Sequence, residues 1–411
     1  MSHAVKRLNI EEFVRPEVIV NPYPYYESLR SEPPQFGLLD YPPGTIPGQD
    51  KPHPAWALFN YDDVASAART HDSFSSRDPM QEASAAPTLM LVNHDRPEHT
   101  VLRSIAQKAF TPKRVLEDVG PWAEEVVAGM FDRLESPEMD FMESFAVEVP
   151  ARFLTRLIGT PEEDWPLLRD WGNAFMVTAD YTAEQRNQRN REVEAYYTEA
   201  VMARYEDIAQ GIQPPDDLMT AFINVEHGGR TLSPEEVIRF CITLVVAGAE
   251  TTVYFLGNLV ATLLEKPELF TLLQNDRSQL RPFMEESLRR DGPIQRLFRI
   301  CTQDTELGGV TISKDEWVAL FFASANRDPA VFENPDEFIL NRPNIKHHMT
   351  FGHGIHFCMG NAVARMEAEK LMNGILDRVT GIELGEGGIK RQSGGLLNYG
   401  AESLNIRFLM K

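Results

Sequence analysis

The chain has 411 residues, of which 43% are hydrophobic and 25% charged, and its formal net charge is -21. This composition is typical of a globular protein that can bury a sizeable core. The negative charge argues against nucleic acid as a partner, because proteins that bind nucleic acids carry basic surfaces. The N-terminus MSHAVKRLNIEEF has no apolar signal, and the apolar run FCITLVVAGA is too short to span a bilayer. We therefore expect a cytoplasmic protein with no membrane partner.

The chain has three cysteines, which are Cys241, Cys301 and Cys358. An odd number without closely spaced pairs argues against a disulfide framework. Three thiolates are also too few for an iron–sulfur cluster that needs four. The sequence contains neither GxGxxG nor GxxxxGK[ST], the fingerprints of dinucleotide and nucleotide binding. If the protein catalyses redox chemistry, we expect its electrons to come from another protein.

The first elements that the sequence predicts lie between residues 40 and 70. DYPPGTIPGQDKPHP at 40–54 is rich in Pro and Gly and predicts a surface loop. WALFN at 56–60 predicts a strand, and YDDVASAART predicts the helix that follows it. Most of residues 98–290 then has helical character, with breakers between the helices.

One helix in this range has a sharply predicted start. Ser233-Pro234-Glu235-Glu236 is a capping box with proline at the first helical position, and helical character continues to about Leu264. The helix is apolar on most faces, which predicts that it crosses the core. It contains AGAETT, Ala247 to Thr252, where a glycine costs about 1 kcal/mol relative to alanine and a threonine can bond back to the preceding turn. A packing kink and a functional site both explain this motif.

The pattern changes near residue 290. MEESLRR places Glu286 and Arg289 on one helix face, a spacing that usually gives a solvated salt bridge. The segments ELGGVTI, WVALFF and SLNIRFLM that follow are short, β-like and separated by Gly-rich turns. The expected fold class is mainly α with a minor β part. We expect a single domain over residues 1–411, with helix-rich parts at about 60–290 and 359–380 and β-rich parts near 55–75 and 295–411.

The stretch FGHGIHFCMG, Phe351 to Gly360, places Cys358 among three glycines. A helix is predicted directly after it, because small and apolar residues recur every three to four positions at Ala364, Ala368, Leu371, Ile375 and Val379. A thiolate before that helix would meet backbone N–H groups and the positive end of the helix dipole. The glycines permit tight turns and the close approach of a flat ligand. A thiolate ligand and a buried, inert cysteine are both consistent with these residues alone.

FGHGIHFCMG followed by NAVARMEAE resembles the haem-binding signature of the cytochrome P-450 family at every fixed position of that signature. The resemblance continues in order along nearly the whole chain. It implies the cytochrome P-450 fold, with a long central helix crossing the haem, and haem b as cofactor. It implies that Cys358 is the axial ligand of the haem iron, that His356 lies by a haem propionate and that Phe351 packs near the sulfur.

AGAETT resembles the oxygen-activating segment of the same family. There, Ala247 and Gly248 would belong to a widened turn with room for dioxygen. Thr251 would hold the dioxygen, and Glu250 would supply protons. These two are the catalytic residues that the resemblance implies.

Other residues also match family positions. Glu286, Arg289 and Arg342 resemble a structural ion-pair network under the haem. Buried haem carboxylates need charge-assisted hydrogen bonds. The residues implied as cofactor-binding, besides His356, Phe351, Ala247 and Gly248, are His99, Arg103, Arg299, His348 and Gly360.

The activity implied is that of a haem-thiolate monooxygenase. Such an enzyme oxidises a small to medium hydrophobic substrate with O2 and with electrons from a ferredoxin or flavodoxin and its reductase. A peroxygenase of the same family, driven by hydrogen peroxide, is one alternative, although such members typically lack the acid–threonine pair. A non-catalytic haem sensor is another, and it would need no such pair.

By the same resemblance, the substrate pocket draws on the loop from Met80 to Val92, on residues 175–177, on the long helix and on residues 396–397. The residues predicted to line it are Met90, Phe175, Leu244, Ala247, Gln295, Leu297 and Leu397. A carboxylate anchor at Arg77 is less favoured than a surface position.

Four basic residues flank the segments expected to contact the haem, namely Lys108, Lys113, Arg114 and Arg365. They are either a docking patch for the electron donor or ordinary solvated charges. Electrostatic docking would weaken as ionic strength rises.

Overall fold

A computed structural model of the protein describes residues 7–8, 10–13, 15–39, 53–78, 88–111, 113, 119–175, 181–392 and 397–411. Its helices, in chain order, are α1 (Ile10–Phe13), α2 (Pro16–Val20), α3 (Tyr23–Arg30), α4 (Tyr61–Arg69), α5 (Glu98–Ala109), α6 (Val119–Asp132), α7 (Glu148–Ile158), α8 (Trp165–Phe175), α9 (Ala183–Ala209), α10 (Leu218–Asn224), α11 (Pro234–Ala249), α12 (Thr251–Glu265), α13 (Pro267–Asn275), α14 (Leu280–Arg290), α15 (Phe322–Ala325) and α16 (Asn361–Arg378).

The strands are β1 (Arg7–Leu8), β2 (Gln35–Leu39), β3 (His53–Leu58), β4 (Phe74–Ser75), β5 (Glu138–Asp140), β6 (Glu226–His227), β7 (Arg230–Thr231), β8 (Leu297–Cys301), β9 (Thr305–Leu307), β10 (Val310–Ile312), β11 (Trp317–Leu320), β12 (Val379–Arg391) and β13 (Ala401–Met410). The fold class is mainly α with a minor β part, as predicted. The helix expected after residue 60 is confirmed as α4, and the strand predicted at 56–60 is present but shifted, as β3 at His53–Leu58. Residues 40–52 of the predicted loop lie outside the described residues, and residues 53–54 belong to β3, where they pair with β2.

Six strands form one mixed sheet in the order β1-β2-β3-β11-β8-β4. β3 and β11 are parallel, with Leu58 opposite Leu320. Val318, Ala319 and Leu320 are all fully buried, so β11 is covered on both faces, which explains its unbroken apolar sequence. The strand predicted for WVALFF ends at Leu320, since a helix, α15, begins at Phe322. Phe321, between them, donates its N–H to the carbonyl of Leu58 and stacks on Phe59 with ring centroids 4.4 Å apart.

β12, β13 and β5 form a second, antiparallel sheet. The 13-residue β12 and 10-residue β13 pair with several irregularities in register. The inward residues of β13 are apolar, and Leu404, Ile406 and Phe408 are at most 1% exposed. This sheet closes one end of the helical core and places the segment before β13 beside the long helix.

The capping box predicted at Ser233 is present. The Ser233 hydroxyl accepts from the backbone N–H of Glu236 at 3.2 Å, and the Glu236 carboxylate accepts from the N–H of Ser233 at 2.8 Å. The helix runs as α11 to Ala249 and resumes as α12 at Thr251. Between them, Glu250 has φ -103° and ψ -39°, so the single predicted helix has one break, inside the AGAETT motif.

Among the described residues, this is also the helix whose length and composition would suit a bilayer. It spans Pro234–Glu265, longer than the apolar run FCITLVVAGA suggests, and 76% of its most apolar window is buried inside the protein. Such burial is what the core helix of a folded domain requires. The helix packs on α7, α8 and α9, and α16 runs along α6 with Leu371 and Ile375 fully buried.

Candidate functional site

A cavity lies between the long helix and the loop that carries Cys358. Leu244, Ala247 and Thr251 form part of one wall, and Phe351 and Cys358 form part of the other. Its empty volume is about 1670 Å³, part of which is open to solvent. The cavity is therefore bordered both by the cysteine loop and by the AGAETT segment of the long helix.

The cysteine loop is held by backbone contacts. The N–H of Cys358 donates to the carbonyl of Phe351 at 2.8 Å, and the Asn361 amide donates to the carbonyl of Cys358 at 2.7 Å. Gly354 has φ +72°, and a Cβ there would lie 2.6 Å from the carbonyl oxygen of Ala68 on α4, so glycine is required for this approach.

The thiol of Cys358 lies directly before α16, as predicted. Burial raises its pKa, whereas hydrogen bonds from the N–H groups of Gly360 and Asn361 and the positive charges of Arg103 and Arg365 act in the opposite direction. Burial has the larger effect, so the pKa of the thiol is raised overall and these four groups offset it only in part. Binding to a metal cation would favour the thiolate, since metal ligation requires the deprotonated sulfur.

A cluster of basic side chains borders the same end of the cavity. The rings of His99 and His356 are 4.4 Å apart, and Arg103 and Arg299 line the cavity beside them. Burial and the neighbouring cations lower the pKa of His356 to about 3 and that of His99 to about 4, and burial lowers that of Arg299 to about 10. Two guanidinium groups and two neutral imidazoles that can donate hydrogen bonds are matched by a ligand that carries carboxylates.

The basic cluster has a hydrogen-bonding atom that is still available for such a ligand. Ser76 Oγ contacts Nε2 of His356 at 3.0 Å, and Arg103 donates to the carbonyl of Phe357 at 2.6 Å. His99 is 2% exposed, and its Nε2 has no hydrogen-bond partner among the described residues. The hydrogen-bond donors of the cluster and the thiol of Cys358 therefore fit haem b.

His348 was expected in this cluster, and the structure corrects that prediction. Its Nε2 lies 3.1 Å from the carboxylate of Glu285, and its Nδ1 accepts from the N–H of Thr350. Arg365 donates twice to the same carboxylate, at 2.7 and 2.9 Å. Because Glu285 engages both side chains, His348 is not free for a propionate.

The break in the long helix borders the cavity. Thr251 Oγ1 donates to the carbonyl of Ala247 at 3.0 Å, the back-bond predicted for this motif. A Cβ on Gly248 would lie 2.9 Å from the side chain of Leu154, so the glycine is needed for contact between α11 and α7. Glu250 is not among the residues described as lining the cavity. It is 5% exposed, and its carboxylate accepts from the amide of Asn398 at 2.7 Å.

The predicted pocket residues divide into three groups. Met90, Leu244, Ala247 and Leu297 line the cavity. Gln295 does not, because it is fully buried and bonds instead to the hydroxyl of Tyr26 and to the carbonyl of Gly292. Leu397 is also absent from the described lining, and its carbonyl accepts from the N–H of Gln295. The side chain of Phe175, residues 79–87 of the predicted loop, residues 176–177 and Leu396 lie outside what the structure describes.

The structure adds lining residues that the sequence analysis missed. They include Thr243, Phe255, Ile294 and Glu367. Glu367 is 3% exposed, and burial raises its pKa to about 8, while a hydrogen bond with Thr252 lowers it. It is the first of the two glutamates of NAVARMEAE, so its position in the motif was a signal to consider it.

The predicted ion-pair network is present and buried. Arg289 contacts both carboxylate oxygens of Glu286, at 2.8 and 2.9 Å, and Arg342 contacts the same oxygens at 3.1 and 3.2 Å. None of the three side chains is more than 2% exposed. The alternative for Glu286 and Arg289, a solvated salt bridge at the surface, is therefore wrong.

The predicted docking patch is only partly present at the surface. Lys113 is exposed, and Lys108 is exposed with its Nζ donating to the carbonyl of Glu226 at 2.8 Å. The side chain of Arg365 is only 13% exposed and is paired with Glu285, so the prediction that Arg365 belongs to the docking patch is wrong. Arg114 lies outside the described residues, and Arg77 is exposed, as favoured from the sequence.

Comparison with known proteins shows which family the chain is similar to. The sequence profile of the family described as Cytochrome P450 matches residues 165–384. The chain is 31% identical over 384 residues to the biotin biosynthesis cytochrome P450 of Bacillus subtilis (strain 168), which covers 90% of this chain and 92% of that protein.

Solved structures extend the similarity to the fold. Cytochrome P450 CYP109Q5 from Chondromyces apiculatus has a TM-score of 0.85 at 27% identity, over 98% of this chain and 99% of that one. CYP109E1 from Bacillus megaterium in complex with testosterone has a TM-score of 0.80 at 29% identity, over 94% and 99%. The chain therefore belongs to the cytochrome P450 family of monooxygenases, whose cofactor is haem b.

Proposed function

We propose that this monooxygenase inserts one oxygen atom from O2 into a small or medium hydrophobic molecule, using electrons from a separate ferredoxin or flavodoxin. The observation that carries the substrate class is the apolar wall facing the cysteine loop. It includes Leu154, Leu157, Leu244, Phe255, Ile294 and Leu297. Such a wall selects by shape and apolar area.

The relatives support an apolar substrate. The CYP109E1 structure contains testosterone, a compact and mainly apolar steroid. The relative named for biotin biosynthesis shows that proteins of similar sequence also serve other substrates. A steroid or a molecule of similar size and polarity is the class we expect for this chain.

Haem b, when bound, supplies the iron at which O2 is activated. Cys358 would hold the iron through its sulfur, and His99, Arg103, Arg299 and His356 would hold the propionates. The apolar wall would orient the substrate and exclude water from it. These roles follow from the donors that border the cavity.

The remaining polar groups of the long helix would handle protons. Thr251 Oγ1 borders the cavity and donates its hydrogen to a backbone carbonyl, so its lone pairs can accept a hydrogen bond. To deliver a proton, it would turn its own O–H toward the cavity, give up that proton and take another in exchange. Glu250 is the acid next to it in the chain. We assign Glu250 to the supply of protons and Thr251 to their delivery into the cavity.

The electron donor would dock on the cysteine side. Phe357, next to Cys358, is 40% exposed, and it is joined to α5 through the hydrogen bond from Arg103. Lys108 lies further along α5 and is exposed. If an acidic donor docks there, Lys108→Glu and raised ionic strength should each slow reduction of the haem. The bacterial origin of the relatives supports a cytoplasmic location as part of this proposal.

The test is a spectral titration of the purified ferric protein with steroids, fatty acids and small aromatic compounds. Conversion of the haem to high spin by the steroid class, followed by oxygenated product with ferredoxin and its reductase, would support the proposal. Product formed with hydrogen peroxide but not with reduced ferredoxin or flavodoxin would instead favour a peroxygenase. Absence of product with all three electron or oxygen sources would favour a haem sensor.

A further inference from the structure

Glu250 has a buried partner outside the AGAETT motif. The Nδ2 group of Asn398 donates to Oε2 of Glu250 at 2.7 Å, and the two residues are 1% and 5% exposed. Asn398 lies just before β13 in the chain. Nothing in the sequence motifs pointed to this residue.

The backbone of Asn398 is fixed independently of its side chain. Its carbonyl accepts from the amide of Gln392 at 2.8 Å, and the residue forms a β-bridge with Ile294. Its neighbour Tyr399 donates its N–H to the carbonyl of Pro293 at 2.8 Å. The amide is therefore presented to Glu250 from a rigid support, as precise positioning requires.

A buried carboxylate requires partners that compensate for lost water. Arg186, at the start of α9, is 3% exposed and interacts electrostatically with Glu250. One of its guanidinium nitrogens donates to the carbonyl of Ala174 at 2.8 Å, which fixes it at the end of α8. Asn398 contacts Glu250 from the segment before β13, and Arg186 acts on it from α9. Glu250 is therefore held from two separate parts of the chain.

The two ends of the Asn398 amide suit the two states of an acid. The N–H donates to Glu250 when the carboxylate is ionised, whereas Oδ1 accepts no hydrogen bond from any described residue. A rotation of the amide would bring that oxygen to the O–H of a protonated Glu250. An amide can therefore bond to the acid before and after a proton moves, which neither an apolar nor a cationic side chain can do.

We propose that Asn398 is the positioning residue that holds the carboxyl group of Glu250 through both of its protonation states. The proposal rests on the function proposed above for Glu250. In each turnover, Glu250 would release its proton toward Thr251 and take one from water, so the carboxyl group returns to its initial state. Asn398 would neither gain nor lose a proton.

The primary test is infrared spectroscopy of the haem-loaded ferric protein as a function of pH, and it requires no substrate. The band of the protonated Glu250 carboxyl group is identified by its loss in Glu250→Gln. We expect Asn398→Leu, which has a similar shape, to raise the pH at which this band titrates by about one unit. The substitution removes a hydrogen bond from both forms of the acid, but the charge-assisted bond to the ionised form is the stronger one. Asn398→Asp should raise it further, because a second carboxylate disfavours the first.

A matched control distinguishes positioning from packing. Asn258 is also a buried amide, 2% exposed, and it bonds to the carbonyl of Tyr399 at 3.1 Å, but Glu250 is not among its partners. Asn258→Leu should therefore leave the Glu250 band where it is in the unaltered protein. Only variants with the thiolate-type spectrum of the ferrous–CO complex are compared, and Asn398→Asp serves if Asn398→Leu does not fold.

The second test measures coupling with the compound that gives the strongest spin change. We expect Asn398→Leu to raise hydrogen peroxide released per product roughly threefold to tenfold. In a Glu250→Gln background the same substitution should have no further effect. Equal effects in both backgrounds, or a Glu250 band that is unchanged or absent in every Asn398 variant, would overturn the inference.

Failure of the proposed function gives a different result. If Glu250→Gln itself leaves coupling unchanged, then Glu250 does not supply protons and the inference falls with it. If Glu250→Gln lowers coupling and Asn398→Leu does not, the role of Glu250 stands and that of Asn398 is wrong.

Discussion

Glu286 and Arg289, three residues apart on α14, form a two-point ion pair that is no more than 1% exposed. The other guanidinium N–H groups of Arg289 donate to the carbonyls of Asn326, Pro335 and Glu337. A buried ion pair costs desolvation, so its value depends on complete pairing of both partners. Here the pairing ties α14 to the chain that leads into the cysteine loop.

Removal of one partner should therefore be costly. We expect Glu286→Ala to lower the free energy of unfolding by about 3–5 kcal/mol, since it leaves two buried guanidinium groups without their carboxylate. Urea denaturation of the haem-loaded protein measures this. Glu235→Ala breaks an exposed i,i+4 pair with Arg239 and should change stability by about 0.5 kcal/mol or less. Equal losses in the two variants would contradict the argument.

The shifted pKa of Glu285 should make the free energy of unfolding depend on pH. Burial alone would raise its pKa, but hydrogen bonds from His348 and Arg365 and the charges of Arg365 and Arg281 lower it well below the ordinary value of 4.5. A carboxyl group whose pKa is lowered in the folded state stabilises the protein fully above 4.5 and loses that effect as pH falls further.

Glu285→Gln should consequently lower stability by about 2 kcal/mol at pH 7. The difference from the unaltered protein should shrink below pH 4.5, where the unfolded chain binds a proton at Glu285. Denaturation at a series of pH values measures both effects. A difference that stays constant down to pH 3 would show that the carboxylate charge is not responsible.

A side chain at position 248 would conflict with the packing of α11 on α7. We expect Gly248→Ala to destabilise the protein by about 1–2 kcal/mol, because the clash with Leu154 outweighs the higher helix propensity of alanine. In a Leu154→Ala background the same substitution should be neutral or stabilising by up to about 1 kcal/mol. Urea denaturation of the four proteins gives the coupling. An equal cost in both backgrounds would remove Leu154 as the cause.

Thr251→Ala removes the hydroxyl that borders the cavity and bonds to Ala247. We expect product per electron pair to fall roughly tenfold and hydrogen peroxide release to rise, because protons are no longer delivered to the right place. Thr251→Ser is the matched control, since it keeps the hydroxyl. Unchanged coupling in Thr251→Ala would remove this residue from the mechanism.

Cys358→His tests the ligand directly. Histidine replaces the sulfur with a neutral nitrogen, so the ferrous–CO complex should lose its thiolate-type absorption. Cys241→Ser and Cys301→Ser are controls, because both of those thiols are buried away from the described cavity lining. Persistence of the thiolate-type spectrum in Cys358→His would mean that another group binds the iron.

Local spacing was enough to predict several features of this chain. The capping box at Ser233, the helix after Cys358 and the pairing of Glu286 with Arg289 each depend on residues within a few positions of one another. Such patterns carry their geometry with them, because helix periodicity determines which side chains meet.

The incorrect predictions depended on distant partners. Gln295 is turned from the cavity by Tyr26, from the N-terminal part of the chain, and His348 is engaged by Glu285 from α14. Asn398 could not be found by spacing for the same reason, since its contact with Glu250 exists only after β13 docks on the long helix. The direction of a side chain depends on this tertiary arrangement, which local sequence does not specify.

The parallel pairing of β3 with β11 has a consequence for synthesis of the chain. Leu58 leaves the ribosome long before its partner Leu320, and every described helix from α4 to α14 lies between them. The centre of the six-stranded sheet therefore cannot form until most of the protein has been translated. β3 can pair with β2 early, but until β11 is made its other edge stays open. An open edge on an apolar strand is the type of segment that chaperones protect from aggregation.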